Sequence, residues 1–178
     1  MTIFTIGHST RSSGDFVALL REFQVDLLAD VRSVPRSRTN PQFNADTLAV
    51  TLAEAGIAYR HLNALGGLRH RRKDAAPSPN GFWRNDSFRN YADYAATDGF
   101  RAGLDELRKL AIGHRCAIMC AEAVWWRCHR RIIADYLVAG GVAVTHILGH
   151  NKADAATLTP GVSILPGGAL VYPAPAGT

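Results

Sequence analysis

Cysteine is scarce in this chain, and long apolar runs are absent. The three cysteines, Cys116, Cys120 and Cys128, are too few and too closely spaced to form a disulfide framework. No apolar run approaches the ~18 residues that a membrane-spanning helix needs. The first residues, MTIFTIGHST, lack the basic start and apolar stretch of a signal peptide. These absences predict a cytoplasmic protein with free thiols and no membrane partner.

Acidic residues are outnumbered by basic ones. The 178 residues include 20 Lys and Arg against 15 Asp and Glu, for a net charge of +5. The excess lies in two segments, since residues 32–38 hold three arginines and no acid, and residues 60–89 hold seven basic residues and two aspartates. Arginine-rich loops of this kind favour an anionic partner.

Short apolar runs alternate with amphipathic periods along the chain. The runs predict strands at residues 2–6, 25–31, 57–62, 116–120 and 142–147. Helical spacing predicts helices at residues 15–23, 45–55, 91–110 with a break near Gly99, and 127–138. This order predicts an α/β fold, a three-layer Rossmann-like sandwich with a mostly parallel sheet of about five strands.

Two segments fall outside the alternation. Residues 63–90 have no apolar period and predict a long inserted, lid-like loop. Residues 151–178 are rich in Pro and Gly, and their apolar run at 162–165 predicts an edge strand of the sheet. We therefore expect a single α/β domain over residues 1–150 that carries the lid, with the tail packed on the same domain.

A polar motif follows each predicted strand. The motifs are Gly7-His8-Ser9, Asp30 to Ser37, Leu65-Gly66-Gly67, Cys120-Ala121-Glu122 and Gly149-His150. Parallel strands end at the same edge of a sheet, and ligands bind beyond their carboxyl ends. We therefore expect the functional site at this edge, which we call the carboxyl-end rim.

The same motifs resemble the bacterial family catalogued as domain of unknown function 488. The matching pieces are TIGHS at 5–9, DVRSVPRS at 30–37, NPQFN at 40–44, LGG at 65–67, WRN at 83–85, FRNYADY at 88–94, CAE at 120–122 and CHR at 128–130. They occur in order over about residues 1–147, so the resemblance is specific. It implies the α/β fold and the rim site, but no reaction, because the activity of that family is unassigned.

Three side chains are candidates for catalysis: Cys120, Glu122 and His8. Cys120 ends a strand and precedes an arginine-rich helix start, where the thiolate would be stabilised and the thiol pKa lowered. A buried core cysteine is the alternative. Glu122 is interpreted as a general base or as an ion-pair partner of Arg32. His8 lies in a tight turn near a helix N-terminus, where it is either functional or structural.

Nine further positions are assigned to binding an anion or the substrate. They are Ser9, Arg32, Arg36, Ser37, Gly66, Gly67, Arg127, His129 and Arg130. A metal is a weighed alternative for Cys120, Cys128 and His129, with His8 as a further ligand. Because Cys-x7-Cys-His is not a recognised zinc spacing, the sequence assigns no metal and identifies no cofactor.

The leading functional hypothesis is an enzyme that acts at the carboxyl-end rim on an anionic substrate, a nucleotide or nucleic acid, with a cysteine thiolate. Phe82 and Trp83 beside basic residues of the lid favour base stacking along a phosphate backbone. A noncatalytic nucleic-acid-binding module is the first alternative. A sulfur or redox protein is the second, because a cysteine at a strand end resembles the arrangement in rhodanese-like domains.

Overall fold

The computed structural model describes residues 1–71 and 73–177, so residue 72 of the predicted lid and residue 178 of the predicted tail lie outside the described residues. The strands are β1 (Thr2–Gly7), β2 (Leu27–Asp30), β3 (Ala58–His61), β4 (Cys116–Cys120), β5 (Ala143–Gly149), β6 (Lys152–Ala155), β7 (Ser163–Ile164) and β8 (Leu170–Val171). The helices are α1 (Ser13–Glu22), α2 (Ala45–Glu54), α3 (Asp86–Ala95), α4 (Asp98–Gly113) and α5 (Arg130–Ala139). Short 3-10 helices lie at Pro41–Phe43, Asn63–Leu65 and Trp125–Arg127.

The main sheet has the strand order β3-β2-β4-β1-β5-β6. The first five strands of this order run parallel, and β6 runs antiparallel to β5. In register, Gly7 pairs with Cys120 and Asp30 pairs with Met119, so β1, β2 and β4 end side by side. The predicted α/β fold with a mostly parallel sheet is confirmed, and the strand ends form the carboxyl-end rim.

Helices cover the sheet on both faces, because successive side chains of a strand point to opposite sides. In β4, Cys116, Ile118 and Cys120 pack in one apolar core with residues of α3, α4 and α5. Ala117 and Met119 pack in the other core with residues of α1 and α2. The alternation therefore directs the side chain of Cys120 toward the face of the sheet that α5 covers.

The C-terminal part differs from the sequence prediction. The sixth strand of the sheet is β6, whose four residues are all exposed and carry no apolar period that would reveal it. A turn with Asn151 at positive φ returns the chain from β5 to β6. The run predicted as an edge strand of the sheet forms β7 instead, which pairs with β8 in a separate two-stranded sheet.

Helix boundaries follow side-chain caps that the apolar period does not report. The break between α3 and α4 lies at Thr97 and not at Gly99, because the Thr97 hydroxyl accepts from the backbone N–H of Phe100 and starts a new helix. The helix predicted from residue 127 begins at Arg130, after the 3-10 turn. Ser12 caps α1, because its hydroxyl accepts from the backbone N–H of Asp15. No helix in the described ranges has the length and apolar character to cross a membrane.

The long segment before α3 is anchored to the domain. Trp83 is 6% exposed and belongs to the same core as α5. Asn80 donates to Asp93 of α3 at 2.8 Å and accepts from the backbone N–H of Tyr172 at 2.9 Å. Because Tyr172 is itself buried in that core, the C-terminal residues and the long segment hold each other in place.

Candidate functional site

A cavity of about 300 Å³ opens at the carboxyl-end rim, and we call it the rim pocket. Its wall is formed by the loops after β2, β3 and β4 and by the first turn of α3. The lining residues are Arg32, Ser33, Val34, Arg36, Gly67, Leu68, Ser87, Phe88, Cys120, Ala121, Glu122, Arg127, Cys128 and His129. The structure thus brings together seven predicted site residues: Cys120, Glu122, Arg32, Arg36, Gly67, Arg127 and His129.

The chain after β4 crosses the end of β1 at very close range. The backbone N–H of Ser9 donates to the carbonyl of Ala121 at 3.0 Å. A Cβ atom on Gly7 would lie 1.9 Å from the carbonyl oxygen of Glu122, so only glycine fits there. Ser9, which was predicted to bind an anion, therefore holds the loop that carries Glu122, and Glu122 itself is an exposed residue of the pocket wall.

The 3-10 turn between β4 and α5 is anchored by stacked rings. Trp125 stacks on His146 of β5 with ring centroids 4.3 Å apart and planes 8° from parallel. His146 is buried and pairs through Nδ1 with the hydroxyl of Thr5 at 2.8 Å. This anchor holds the turn that precedes Cys128 and His129, and Nδ1 of His129 lies near the sulfurs of both Cys120 and Cys128.

Cys120, Cys128 and His129 form a compact cluster, which we call the cysteine–histidine centre. Nδ1 of His129 lies 3.6 Å from Sγ of Cys128 and 3.9 Å from Sγ of Cys120. Nε2 of His129 lies 2.8 Å from the carbonyl oxygen of Val31. Because a carbonyl oxygen only accepts, Nε2 carries the proton and the lone pair of neutral His129 is on Nδ1. The imidazole therefore presents its basic nitrogen to both sulfurs.

Negative charge in the centre is stabilised on Cys128. The backbone N–H and the Nε–H of Arg130 point at its Sγ, with distances of 3.5 and 3.3 Å. Burial opposes ionisation, but the hydrogen bond from Cys120 and the neighbouring His129 and Arg130 outweigh it and bring the pKa of Cys128 well below its usual value. The hydrogen bond to Cys128, followed by burial, raises the pKa of Cys120. The prediction of a lowered pKa for Cys120 is therefore wrong, and the cysteine with the lowered pKa is Cys128.

Arg130 has a structural role that the anion-binding assignment did not include. It is 1% exposed, and besides its bonds to Cys128 it donates from Nη2 to the carbonyl of Glu122 at 2.6 Å. The guanidinium thus joins the start of α5 to the loop after β4. Its charge acts on the cysteine–histidine centre from behind the pocket wall.

Arg32 is held in a buried network. Its Nε and Nη2 donate to the carboxylate of Asp30 at 2.9 and 2.6 Å, and Nη2 also donates to the carbonyl of Phe43. Tyr59 adds a hydroxyl bond to Asp30 at 2.8 Å. The ion-pair partner of Arg32 is therefore Asp30, and the alternative in which Glu122 holds Arg32 is not what the structure shows.

His8 contacts this network and does not line the pocket. It is 2% exposed, and its ring stacks on Phe43 with centroids 4.2 Å apart. Nδ1 donates to the carbonyl of Ser9 at 2.8 Å, so Nε2 is free to accept from Nη1 of Arg32 at 3.4 Å. Burial lowers the pKa of His8, which keeps the imidazole neutral. The structure gives His8 a part in positioning Arg32, and its catalytic assignment stays a prediction.

Two other predicted binding residues shape loops. Ser37 accepts from the backbone N–H of Asn40 at 3.0 Å, and its own N–H donates to Asn44 at 2.8 Å, which closes the turn after Arg36. A Cβ atom on Gly66 would lie 2.5 Å from the hydroxyl of Ser33, so this glycine permits close packing of the two loops. Their assignment to anion binding stays a prediction.

The aromatic side chains predicted to stack on bases lie largely in the core. Trp83 is buried and stacks on Phe88, and Phe82 packs against the same core. Arg69 lies over the ring of Tyr94 at 3.7 Å and donates to backbone carbonyls of its own loop. Most of the aromatic side chains that were predicted to stack on bases are therefore engaged in the core of the protein.

Several lining residues were not predicted as site residues from the sequence. They are Ser33, Val34, Leu68, Ser87, Phe88 and Ala121, whereas Cys128 was considered only as a metal ligand. Most of the six stand in the motifs DVRSVPRS, FRNYADY and CAE, so membership in a motif was the available signal. Leu68 follows the LGG motif directly, and its backbone N–H donates to the hydroxyl of Ser33 at 2.8 Å.

Comparison with known proteins supports the family resemblance. No curated protein and no solved structure matches the chain significantly. The family model described as domain of unknown function DUF488 matches residues 12–137. The matched range covers more than half of the chain and includes Arg32, Cys120, Cys128 and His129. The chain therefore belongs to the DUF488 family.

Proposed function

We propose that this protein is an enzyme that binds an anionic substrate in the rim pocket and acts on it with the cysteine–histidine centre. One observation carries the proposal: the wall of a single cavity contains both free cationic side chains and the sulfur centre. Arg36 and Arg127 are exposed on that wall, whereas Cys120 and Cys128 are buried at it. A noncatalytic binding module has no need for a buried thiol pair at its binding surface.

The apolar part of the wall favours a nucleotide over a simple inorganic anion. Val34 and Leu68 are large apolar residues with exposed fractions of 59% and 66%, and Phe88 lies on the same wall. Ligand pockets of this kind hold a flat apolar group while a few polar side chains orient the charge. A nucleotide, free or at the end of a single strand, combines a planar base with a phosphate that Arg36 and Arg127 would bind.

The chemistry proposed is nucleophilic attack by sulfur. The two N–H groups of Arg130 that point at Sγ of Cys128 stabilise a thiolate there. The thiolate attacks an electrophilic atom of the bound substrate, and the bond from sulfur forms as the bond between that atom and the leaving group breaks. Glu122, on the same wall, gives a proton to the leaving group and then takes one from the water that displaces the sulfur, which returns Cys128 to the thiolate. Such chemistry needs reduced thiols, which fits a protein of the reducing cytoplasm with three free cysteines.

Carboxymethylation tests the anion site and the thiol together. The measured quantity is the rate of modification by iodoacetate, an anion, divided by the rate of modification by neutral iodoacetamide. In chelator-treated protein we expect this ratio to be at least ~10-fold higher for Cys128 than for a free thiol, because nearby arginines attract the anion. The double variant Arg36→Ala/Arg127→Ala should lose this preference and keep its reactivity toward iodoacetamide. Peptide mass spectrometry at several reaction times gives both rates for each cysteine.

Arg115→Ala is the matched control, because Arg115 is exposed and lies at the opposite end of β4 from Cys120. Cys116, buried at that end, should react slowly with either reagent. Equal slow modification of Cys116 and Cys128 would show that Cys128 is not the proposed nucleophile. If the preference for iodoacetate survives in the double variant, Arg36 and Arg127 do not form the anion site.

Nucleotide binding tests the substrate class. We expect fluorescein-labelled pentathymidylate to bind, and the Arg36→Ala/Arg127→Ala variant to bind it at least ~10-fold more weakly, as lost charge-assisted bonds predict. Affinity measured by fluorescence anisotropy should fall steeply with added salt, because phosphate contacts release counterions. If Arg71→Ala/Lys73→Ala weakens the pentanucleotide but not adenosine monophosphate, the substrate is a nucleic acid. If no nucleotide binds at low salt, the nucleotide assignment is wrong.

A further inference from the structure

We propose that Cys120, Cys128 and His129 bind one zinc ion at the rim pocket, with one coordination position open to the cavity. The inference goes beyond the proposed function: the thiolate chemistry proposed above is that of the metal-free protein, and a bound ion would hold the same Cys128 sulfur as a ligand. It concerns side chains that two parts of the fold bring together: Cys120 at the end of β4, and Cys128 and His129 between the 3-10 turn and the start of α5.

The spacing of the three ligand atoms fits tetrahedral coordination. Zinc bonds of about 2.3 Å to sulfur and about 2.0–2.1 Å to nitrogen, at tetrahedral angles, place a sulfur and a nitrogen ligand about 3.6 Å apart. Nδ1 of His129 lies 3.6 Å from Sγ of Cys128 and 3.9 Å from Sγ of Cys120. All three atoms lie within 4.8 Å of one another. An ion can therefore contact the three with little movement.

His129 is held in the tautomer that a metal needs. Its Nε2–H donates to the carbonyl of Val31 at 2.8 Å, which leaves the lone pair on Nδ1 directed at the sulfurs. Metal-binding histidines almost always donate their other N–H to a carbonyl or carboxylate in this way. The ring is also packed edge-on against Tyr91, with centroids 4.9 Å apart. The imidazole is thus oriented in advance of any ligand.

Gly67 leaves the space beside Nδ1 open. A Cβ atom at this position would lie 2.5 Å from Nδ1 of His129, which is closer than any side chain tolerates. The glycine therefore permits the close approach of the third rim loop to the imidazole. The same clearance makes Gly67 a position at which the proposed site can be blocked without removing a ligand.

The local charge selects a metal that binds as a thiolate complex. Arg130 donates two N–H groups to Sγ of Cys128, and its positive charge opposes a bare cation. Two thiolates neutralise a divalent ion, so the charges of the ion and its two sulfur ligands cancel, and zinc binding releases the proton of a sulfur that is still a thiol. Two sulfurs and an imidazole suit zinc, whereas calcium and magnesium require oxygen ligands.

The number of ligands indicates an open site. In the part of the chain that the structure describes, three side chains of this cluster supply ligand atoms, and all three lie on the wall of the rim pocket. Structural zinc sites have four protein ligands, whereas catalytic sites have three and a position for water or substrate. The fourth position of this ion therefore faces the cavity.

Metal binding by the full chain tests the proposal. Chelator-treated protein is incubated with excess zinc, desalted and analysed for bound metal, and the affinity is measured by competition with a chromophoric chelator. We expect one zinc per chain, and an affinity at least ~100-fold lower in Cys120→Ala, Cys128→Ala and His129→Ala, because each lacks a ligand. Cys116→Ala, at the far end of the same strand, should bind zinc like the unmodified chain. Gly67→Ala should bind more weakly although all three ligands remain.

Cobalt substitution keeps the test decisive if a variant fails to fold. Cobalt added to the unmodified chain should produce the near-ultraviolet absorption of thiolate-to-metal charge transfer and the visible bands of tetrahedral cobalt. Less than a tenth of an equivalent of zinc in the unmodified chain, or equal zinc in Cys116→Ala and Cys128→Ala, would overturn the proposal. If the unmodified chain binds no zinc but Cys128 still prefers iodoacetate, the metal site is refuted and the proposed function stands.

Discussion

Replacing Arg32 with Ala should lower the free energy of unfolding by about 3–5 kcal/mol, which is the cost of leaving a buried charge without its partner. Asp30 is 0% exposed and Arg32 is 6% exposed. In the variant the Asp30 carboxylate would lose the guanidinium and keep the hydroxyl bond of Tyr59. The loss is large because the bonds that remain to Asp30, from Tyr59 and from the backbone N–H of residue 32, do not balance the charge of a fully buried carboxylate.

Urea denaturation followed by circular dichroism measures the effect. Arg36→Ala is the matched control, because Arg36 lies on the same pocket wall but is exposed, and its loss should change stability by no more than ~0.5 kcal/mol. In Asp30→Asn/Arg32→Met neither charge remains, so the loss should be smaller than in Arg32→Ala. A loss below ~1 kcal/mol for Arg32→Ala would mean that Arg32 is available for the substrate rather than committed to Asp30.

Replacing Gly7 with Ala should destabilise the protein by at least ~2 kcal/mol, whereas Gly14→Ala should stabilise it by ~0.5–1 kcal/mol. A Cβ atom on Gly7 would meet the backbone oxygen of Glu122 at 1.9 Å, and backbone on both sides of the contact leaves no flexible side chain to yield. Gly14 lies inside α1, and nothing stands within 4 Å of its added Cβ atom. The same Gly→Ala substitution is therefore expected to lower the stability at one site and to raise it at another site seven residues away.

Thermal unfolding of the two variants measures the contrast directly. Because the added methyl group on Gly7 pushes on the loop of Glu122, the Gly7→Ala variant should also lose the preference of Cys128 for iodoacetate. Gly14→Ala should keep that preference. Equal stability of the two variants would show that the loop after β4 does not pass the end of β1 as closely as the structure has it.

The fold could be predicted from the sequence because its signals are local. The run CAIMC places alternate side chains on two faces of β4, and both faces are apolar, which indicates a strand covered on each side. The strand KADA gave no such signal, since its four residues are all exposed and it depends on pairing with β5. Its place in the sheet is decided by the turn at Asn151 and by hydrogen bonds to a neighbour.

The site could be located from the sequence but not resolved into roles. Cys120, Glu122 and Arg32 follow strand ends, and parallel strands end together. Whether a side chain then faces the cavity or supports it depends on partners distant in the chain. His8 was assigned to catalysis and Arg32 to binding the substrate, yet His8 accepts from Arg32, and Arg32 is bound to Asp30.

The sequence by itself determined the α/β class, the family and the edge of the sheet at which the polar motifs meet. These depend on periodicity and on motifs, which are properties of neighbouring residues. The tertiary structure alone decided that Cys128 and His129 lie against Cys120, eight and nine residues earlier in the chain. The 3-10 turn, which Trp125 anchors by stacking on His146, sets that approach. It could not be predicted, because ring stacking between a loop and a distant strand leaves no pattern in the sequence.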